Sequence, residues 1–288
     1  MRTFLTVFFF FNLLLSSFYL DVWKNANTTT RALPIIAYFE SGTFRIDKYH
    51  ELTVDKAFVN GHYYSDKAPL PTYVVIPFFG LLKTTGAIQA DDEGNLFGKH
   101  VYILGGFLTA SLPFALILLY LFRKIRNTDS GISPVILATI PFYASFIFVF
   151  TGTYFAHLFS AVLLLVSYLF IKKKQFLFAG LAGGLAFLSE YNLAIILFLW
   201  GALILVNQRK VKPFIHYAVG ILPSLLFLIY YNSLFSSSPL TFLYKHHNFS
   251  ELDANYGFLF PGMESIWGLS FSTYRVVFFE NSNSSLSG

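Results

Sequence analysis

Apolar residues run in long stretches along this chain, and polar residues gather in short clusters between them. The first stretch, Phe4 to Leu20, follows one basic residue, Arg2. Its exit, "SSFYLDVW", has no small-x-small cleavage pattern, so the stretch reads as a retained first helix rather than a signal peptide. Further spans are read at about 100–122, 132–150, 156–171, 176–189, 192–207 and 213–231, several of them approaching or exceeding the roughly 17–20 residues that cross a bilayer. The spans at 176–189 and 192–207 are short, with "SEYN" at 189–192 as the turn between them. The pattern predicts an all-α polytopic membrane protein of about seven transmembrane helices.

Composition supports that class. Hydrophobic residues make up 55% of the 288 and charged residues 12%, against about 25% charged in a soluble domain. The absence of cysteine excludes disulfides, thiolate metal sites and cysteine nucleophiles.

Charge sets the expected orientation. Arg2, Arg123/Lys124/Arg126, Lys172–Lys174 and Arg209/Lys210/Lys212 fall on one face of a seven-helix arrangement, joined by a single acid, Asp129. The positive-inside rule puts that face in the cytoplasm, with the N-terminus, and leaves loops 21–98 and 232–280 outside. A span at 69–82 would reverse this, carrying "DDE" at 91–93 inside and "RKIR" out. That run, "PLPTYVVIPFFGLL", is also short and rich in proline. It is read as a short helix at the outer interface, and "LPIIAYF" at 33–39 as another helix resting on the membrane surface.

Candidate chemistry concentrates in the first external loop. Asp66 and Lys67 precede the interfacial helix, where a charge is partly desolvated and costly unless paired or used. Lys67 could serve as a compact positive charge on a phosphate, aided by the dipole of the helix that follows; an ordinary ion pair at a helix start is the plainer reading. His62, Tyr63 and Tyr64 suit an interface belt or a polar pocket. Glu190 is the lone carboxylate of two otherwise uncharged helices, and His157 stands at the outer end of its span among aromatics. In the last loop, Lys245, His246, His247 and Arg275 could contact an anion. "HH" at 246–247 is not metal-ligand spacing, and no metal is assigned. "GLAGG" at 180–184 reads first as close helix packing. No nucleic-acid signature is present.

"ESGTFRIDKYHELTVDKAFVNGHYYSDKAP" (40–69) resembles the first periplasmic loop of bacterial GT-C fold glycosyltransferases, the broad group of the aminoarabinose transferase and the protein mannosyltransferases. "GLAGGLAFLSEYNLAIIL", "YYNSLFSSSPLTFLYKH" and "WGLSFSTYRVVFF" are similar to later parts of the same group, so the likeness covers about residues 1–280. It implies a seven-helix module with juxtamembrane helices in the first loop, in the inner membrane. It also implies transfer of a sugar from a polyprenyl-phosphate carrier to a glycan, lipid or protein acceptor outside the cytoplasm. Lys67 in "DKAP" matches the basic residue that binds the carrier phosphate, with Arg31 as a second cation. Asp66, Asp55 and Asp47 are the candidates for the base. No cofactor is assigned, and the need for a divalent cation is left open by the sequence. Where relatives carry an Asp-Glu pair before the arginine, this chain has "NANTTTRA". Its polar tail at 281–288 stands where another span is expected, which reads as a shortened chain. The alternative is a non-catalytic protein that binds or translocates the same lipid-linked sugar.

Overall fold

The computed structural model describes residues 2–20, 24–128, 131–235, 239–240, 242–246, 262–264 and 267. The chain divides into two compact units, Met1–Asn248 and Phe249–Gly288. In the second, Met263, Glu264 and Trp267 are helical and exposed.

The first unit is mostly helical. Helix α1 (Arg2–Ser16) runs antiparallel to α5 (Leu112–Ile125), with Phe4 and Phe8 packed on Phe122 and Ser16 bonded to Ser111. Helix α4 (Lys99–Gly106) passes into α5 through a π turn at Phe107–Ser111, giving one continuous helix, Lys99–Ile125. Pro113 has no N–H and its ring crowds the carbonyl four residues back, and the wider turn, in which the Leu112 N–H reaches Phe107 O, absorbs that misfit. Next come α6 (Pro134–Tyr143), α7 (His157–Lys172), α8 (Phe176–Ser189), α9 (Ala194–Gln208) and α10 (Val211–Ser233).

Helices α8 and α10 cross in close contact. A side chain at Gly180 would collide with the Tyr217 carbonyl, and one at Gly220 with the Leu177 carbonyl. Gly184 faces Ser224 in the same seam. Small residues four apart on both helices let the backbones touch, so "GLAGG" is a packing motif.

Among the described residues, three helices are long and apolar enough to cross a membrane: Lys99–Ile125, Tyr191–Gln208 and Val211–Ser233. The other apolar helices have 10–17 residues, and at 1.5 Å per residue they reach at most about 25 Å, so each would match a ~30 Å hydrocarbon core only together with the turns that flank it. The stretch expected as one span at 132–150 is broken. Helix α6 stops at Tyr143, and Ser145 caps a separate 3₁₀ turn at Phe146–Phe150 by accepting the Ile147 N–H. Likewise α1 gives way to turns after Ser16 instead of continuing to Leu20.

The first loop contains a folded layer. Helix α2 (Ala26–Ser41) begins with a capping box, in which Asn25 Oδ1 accepts the Thr28 N–H and Thr28 Oγ1 accepts the Asn25 N–H. It ends at Gly42 in the left-handed conformation. Residues 28–37 are all buried, so most of "LPIIAYF" is covered by the protein's own helices. Its Ile35 and Ile36 pack with Val75 and Phe79 of α3 (Leu70–Thr84) and with Val101 of α4. Between α2 and α3 lie a 3₁₀ turn, Asp47–Leu52, and a two-stranded hairpin, β1 (Ala57–Val59) and β2 (His62–Tyr64). Its tip, Asn60-Gly61, has both residues at positive φ, the geometry of the tightest hairpin turn.

Candidate functional site: two linked charge clusters at one end of the helices

The start of α3 is stitched to α2 by hydroxyl groups. Thr30 Oγ1 donates to Ser65 Oγ at 3.0 Å, and Thr72 Oγ1 donates to the Arg31 carbonyl at 3.0 Å. These bonds fix the short segment 65–68, which carries Asp66 and Lys67. Lys67 Nζ lies 3.1 Å from Asp55 Oδ2 and 3.2 Å from Asp66 Oδ2. The Asp66 side chain is wholly buried, while Asp55 remains 20% exposed. Asp55 follows the 3₁₀ turn, where Thr53 Oγ1 accepts its N–H and donates to the Ala26 carbonyl. Lys67 therefore ties segment 65–68 to Asp55, and Thr53 ties that turn to the start of α2.

A second cluster centres on Arg31, which is 1% exposed. Its Nε donates to Asn27 Oδ1 at 3.2 Å, Nη1 to the Ala68 carbonyl at 3.5 Å, and Nη2 to Glu190 Oε1 at 3.3 Å. His157 Nδ1 stands 3.3 Å from the same Glu190 oxygen. Helix α8 breaks at Ser189, and Glu190 turns to extended backbone, φ −148° and ψ 112°. That break swings its carboxylate toward α2. Burial lowers the pKa of Arg31 below the ordinary arginine value, against the opposing pull of Glu190, Tyr154 and Asp66. The Tyr154 hydroxyl donates to the Pro71 carbonyl at 3.1 Å and its ring lies flat on Gly105; burial pushes its pKa up. The Ala68 carbonyl, two residues beyond Asp66, joins the two clusters through the backbone.

Of the residues singled out in the sequence, Asp55, Asp66, Lys67, Arg31, Glu190 and His157 thus come together. Arg31 faces Glu190 from within the protein, with no open side toward an external phosphate. Asp47 lies elsewhere. Its Oδ2 is 2.7 Å from His62 Nδ1 and its Oδ1 accepts the Tyr63 N–H at 2.7 Å, so it pins the hairpin to the 3₁₀ turn. Tyr63 stacks on His50 with ring centres 4.1 Å apart. Tyr64 is buried against Phe235, 4.6 Å between centres. Lys245 belongs to the short turn Leu243–His246, but its side chain lies outside the described residues, as does Arg275 altogether. Asn27, Ser65 and Tyr154 were not singled out. Tyr154 is four residues from Phe150 in "FTGTYFAH" and looks like any aromatic there. Among the described residues, no three His, Asp or Glu side chains converge as ligands for a metal ion.

The clusters lie at one end of the helices. His157 starts α7 and Glu190 ends α8, so Lys172–Lys174, in the turn between those helices, are at the other end. Helix α10 runs parallel to α8, with Tyr217 and Gly220 beside Gly180, which puts Arg209, Lys210 and Lys212 at that far end too. The two charge clusters and the basic clusters are separated by the length of the bundle.

No protein-family model, no curated protein and no solved structure matches this chain.

Proposed function

We propose that this protein is an integral membrane glycosyltransferase, which moves a sugar from a polyprenyl-phosphate donor to an acceptor outside the cytoplasm. The observation that carries the reading is the gathering of Lys67, Asp55 and Asp66 immediately before α3, with Glu190 and His157 beside them, at the end of the bundle remote from the basic clusters. A membrane-bound donor with a charged head would reach such a site from the side. In this reading all seven apolar segments (α1, Lys99–Ile125, α6 with its 3₁₀ turn, and α7 to α10) cross the inner membrane. The N-terminus is then cytoplasmic.

The chemistry follows from the charges. An acceptor hydroxyl attacks the anomeric carbon, the bond from that carbon to the phosphate oxygen breaks, and the phosphate leaves with the electron pair. Lys67 neutralises the leaving phosphate, and the dipole of α3 adds to it. Asp55, the more open of the two carboxylates, takes the hydroxyl proton. Asp66, buried, holds the lysine in place. Arg31 supports Glu190 instead of meeting the donor.

A second reading has its own observation. Lys67 is already in contact with two carboxylates, and "NANTTTRA" supplies no acid before Arg31. A protein that only binds the lipid-linked sugar would need no more.

Sugar release from a polyprenyl-phosphate donor by membranes containing the protein separates the two. Lys67→Ala is expected to lower kcat/KM about 10²- to 10³-fold, the usual effect of removing one group that stabilises developing charge. Asp55→Asn is expected to lower kcat about 10²- to 10⁴-fold with donor binding retained. Absence of turnover in the wild type, with donor binding that depends on Lys67, would favour the binding protein.

A further inference from the structure

The far end of the molecule holds a feature that the transfer reaction does not use. A groove of about 470 Å³ opens between α1 and α5, within the ~300–1,000 Å³ range of small-molecule sites. Its walls are Leu5, Phe9, Phe10 and Leu119, and its two charged lining residues are Arg2 and Arg123. Thr6 also lines it, but its hydroxyl donates to the Arg2 carbonyl of its own helix at 3.2 Å.

Of the two arginines, only Arg123 gains from its place in a helix. Arg123 sits in the last turn of α5, where the helix dipole favours a cation. Arg2 sits at the first turn of α1, where the same dipole opposes one. The two arginines line one groove, and among the described residues neither forms an ion pair with a carboxylate. An anion between them would supply the missing counter-charge.

The walls say what kind of anion. They are aromatic and aliphatic, and the apolar surface continues along α1 through the exposed Val7, Phe10, Phe11 and Leu14. A free inorganic phosphate would match the arginines and leave the walls unused. We propose that this groove binds an anionic phospholipid of the bilayer. Its phosphate lies between Arg2 and Arg123, and an acyl chain runs along the Phe9/Phe10 side of α1. Arginine suits the task, because its planar fork grips phosphate oxygens in pairs. The site is independent of the glycosyltransferase reading.

The test uses the full-length protein purified in detergent. Binding of phosphatidylglycerol and of phosphatidylcholine is measured by native mass spectrometry for the wild type and for Arg2→Gln/Arg123→Gln. The wild type is expected to prefer phosphatidylglycerol roughly 10- to 30-fold, which is what two basic residues contribute against an anionic lipid surface. The double variant is expected to lose most of that preference, and Lys210→Gln/Lys212→Gln to keep it. An equal affinity for both lipids in the wild type would overturn the proposal, as would a preference that survives in the double variant. Displacement of the lipid by millimolar inorganic phosphate alone would overturn the lipid assignment. Should the glutamine variant fail to fold, Arg2→Lys/Arg123→Lys keeps both charges but loses the paired geometry. It is then expected to lower the preference, and an undiminished preference would count against the site.

Discussion

Arg31 is one of the largest fully buried side chains in the described structure. A guanidinium removed from water costs several kcal/mol unless it is matched, and here Glu190 matches it while Asn27 and the Ala68 carbonyl accept two more of its N–H groups. Breaking such a pair from one side leaves a buried charge. Glu190→Leu is therefore expected to destabilise the protein by about 3 kcal/mol or more, and Arg31→Leu/Glu190→Leu to recover most of that loss. Thermal melting in detergent of the two single variants and the double variant measures this. Additive losses would show that the pair is not coupled. Glu190, His157, Asp66 and Lys67 could be picked out in the sequence because a charge in an apolar chain is rare and needs a reason. That Glu190 and His157 would come beside the Asp66–Lys67 pair was not legible, since the three lie in different segments. Nor were Asn27 and Tyr154, whose roles arise from what α8 and the α6–α7 connection bring beside them.

Among the elements, those set by local chemistry were readable and those set by tertiary contact were not. The proline-rich start of α3 and the break at "SEYN" follow from backbone rules, and both occur where expected. The hairpin at 57–64 was missed, although "VNGHYY" carries the Asn-Gly signal of a tight turn between alternating side chains. The burial of α2 could not be foreseen, because its mixture of Thr, Ile and Tyr fits a surface helix equally well. The α8–α10 crossing rests on backbone contact and offers a sharp test. Gly180→Leu or Gly220→Leu has no room and is expected to cost at least the ~1–3 kcal/mol of an overpacked core. Gly98→Ala, with open space around it, is expected to leave stability unchanged within ~0.5 kcal/mol. Melting temperatures of the three variants would decide, and equal tolerance at all three sites would contradict a close crossing.

For the molecule as a whole, charge was more informative than hydropathy. The three long apolar helices and the shorter ones beside them are continuous in composition, so length alone does not say where each meets the bilayer. Breaks such as that after Tyr143 depend on local capping and are invisible to a hydrophobicity window. The separation of basic clusters from the acidic first loop was visible in the sequence, and the folded chain keeps it. Because the chain has no cysteine, an introduced thiol reports its own position. Asp92→Cys is expected to react with a membrane-impermeant maleimide added outside intact cells, and Lys210→Cys only after the membrane is opened. Labelling in the reverse order would invert the proposed orientation. The pairing of Arg31 with Glu190 also has a consequence in time. The two residues are 159 positions apart, so at a synthesis rate of ~5–20 residues per second the arginine precedes its partner by ~8–30 s. Throughout that interval α2 cannot close around an unmatched charge, and the first loop must wait, open to water, for the ribosome to deliver the end of α8.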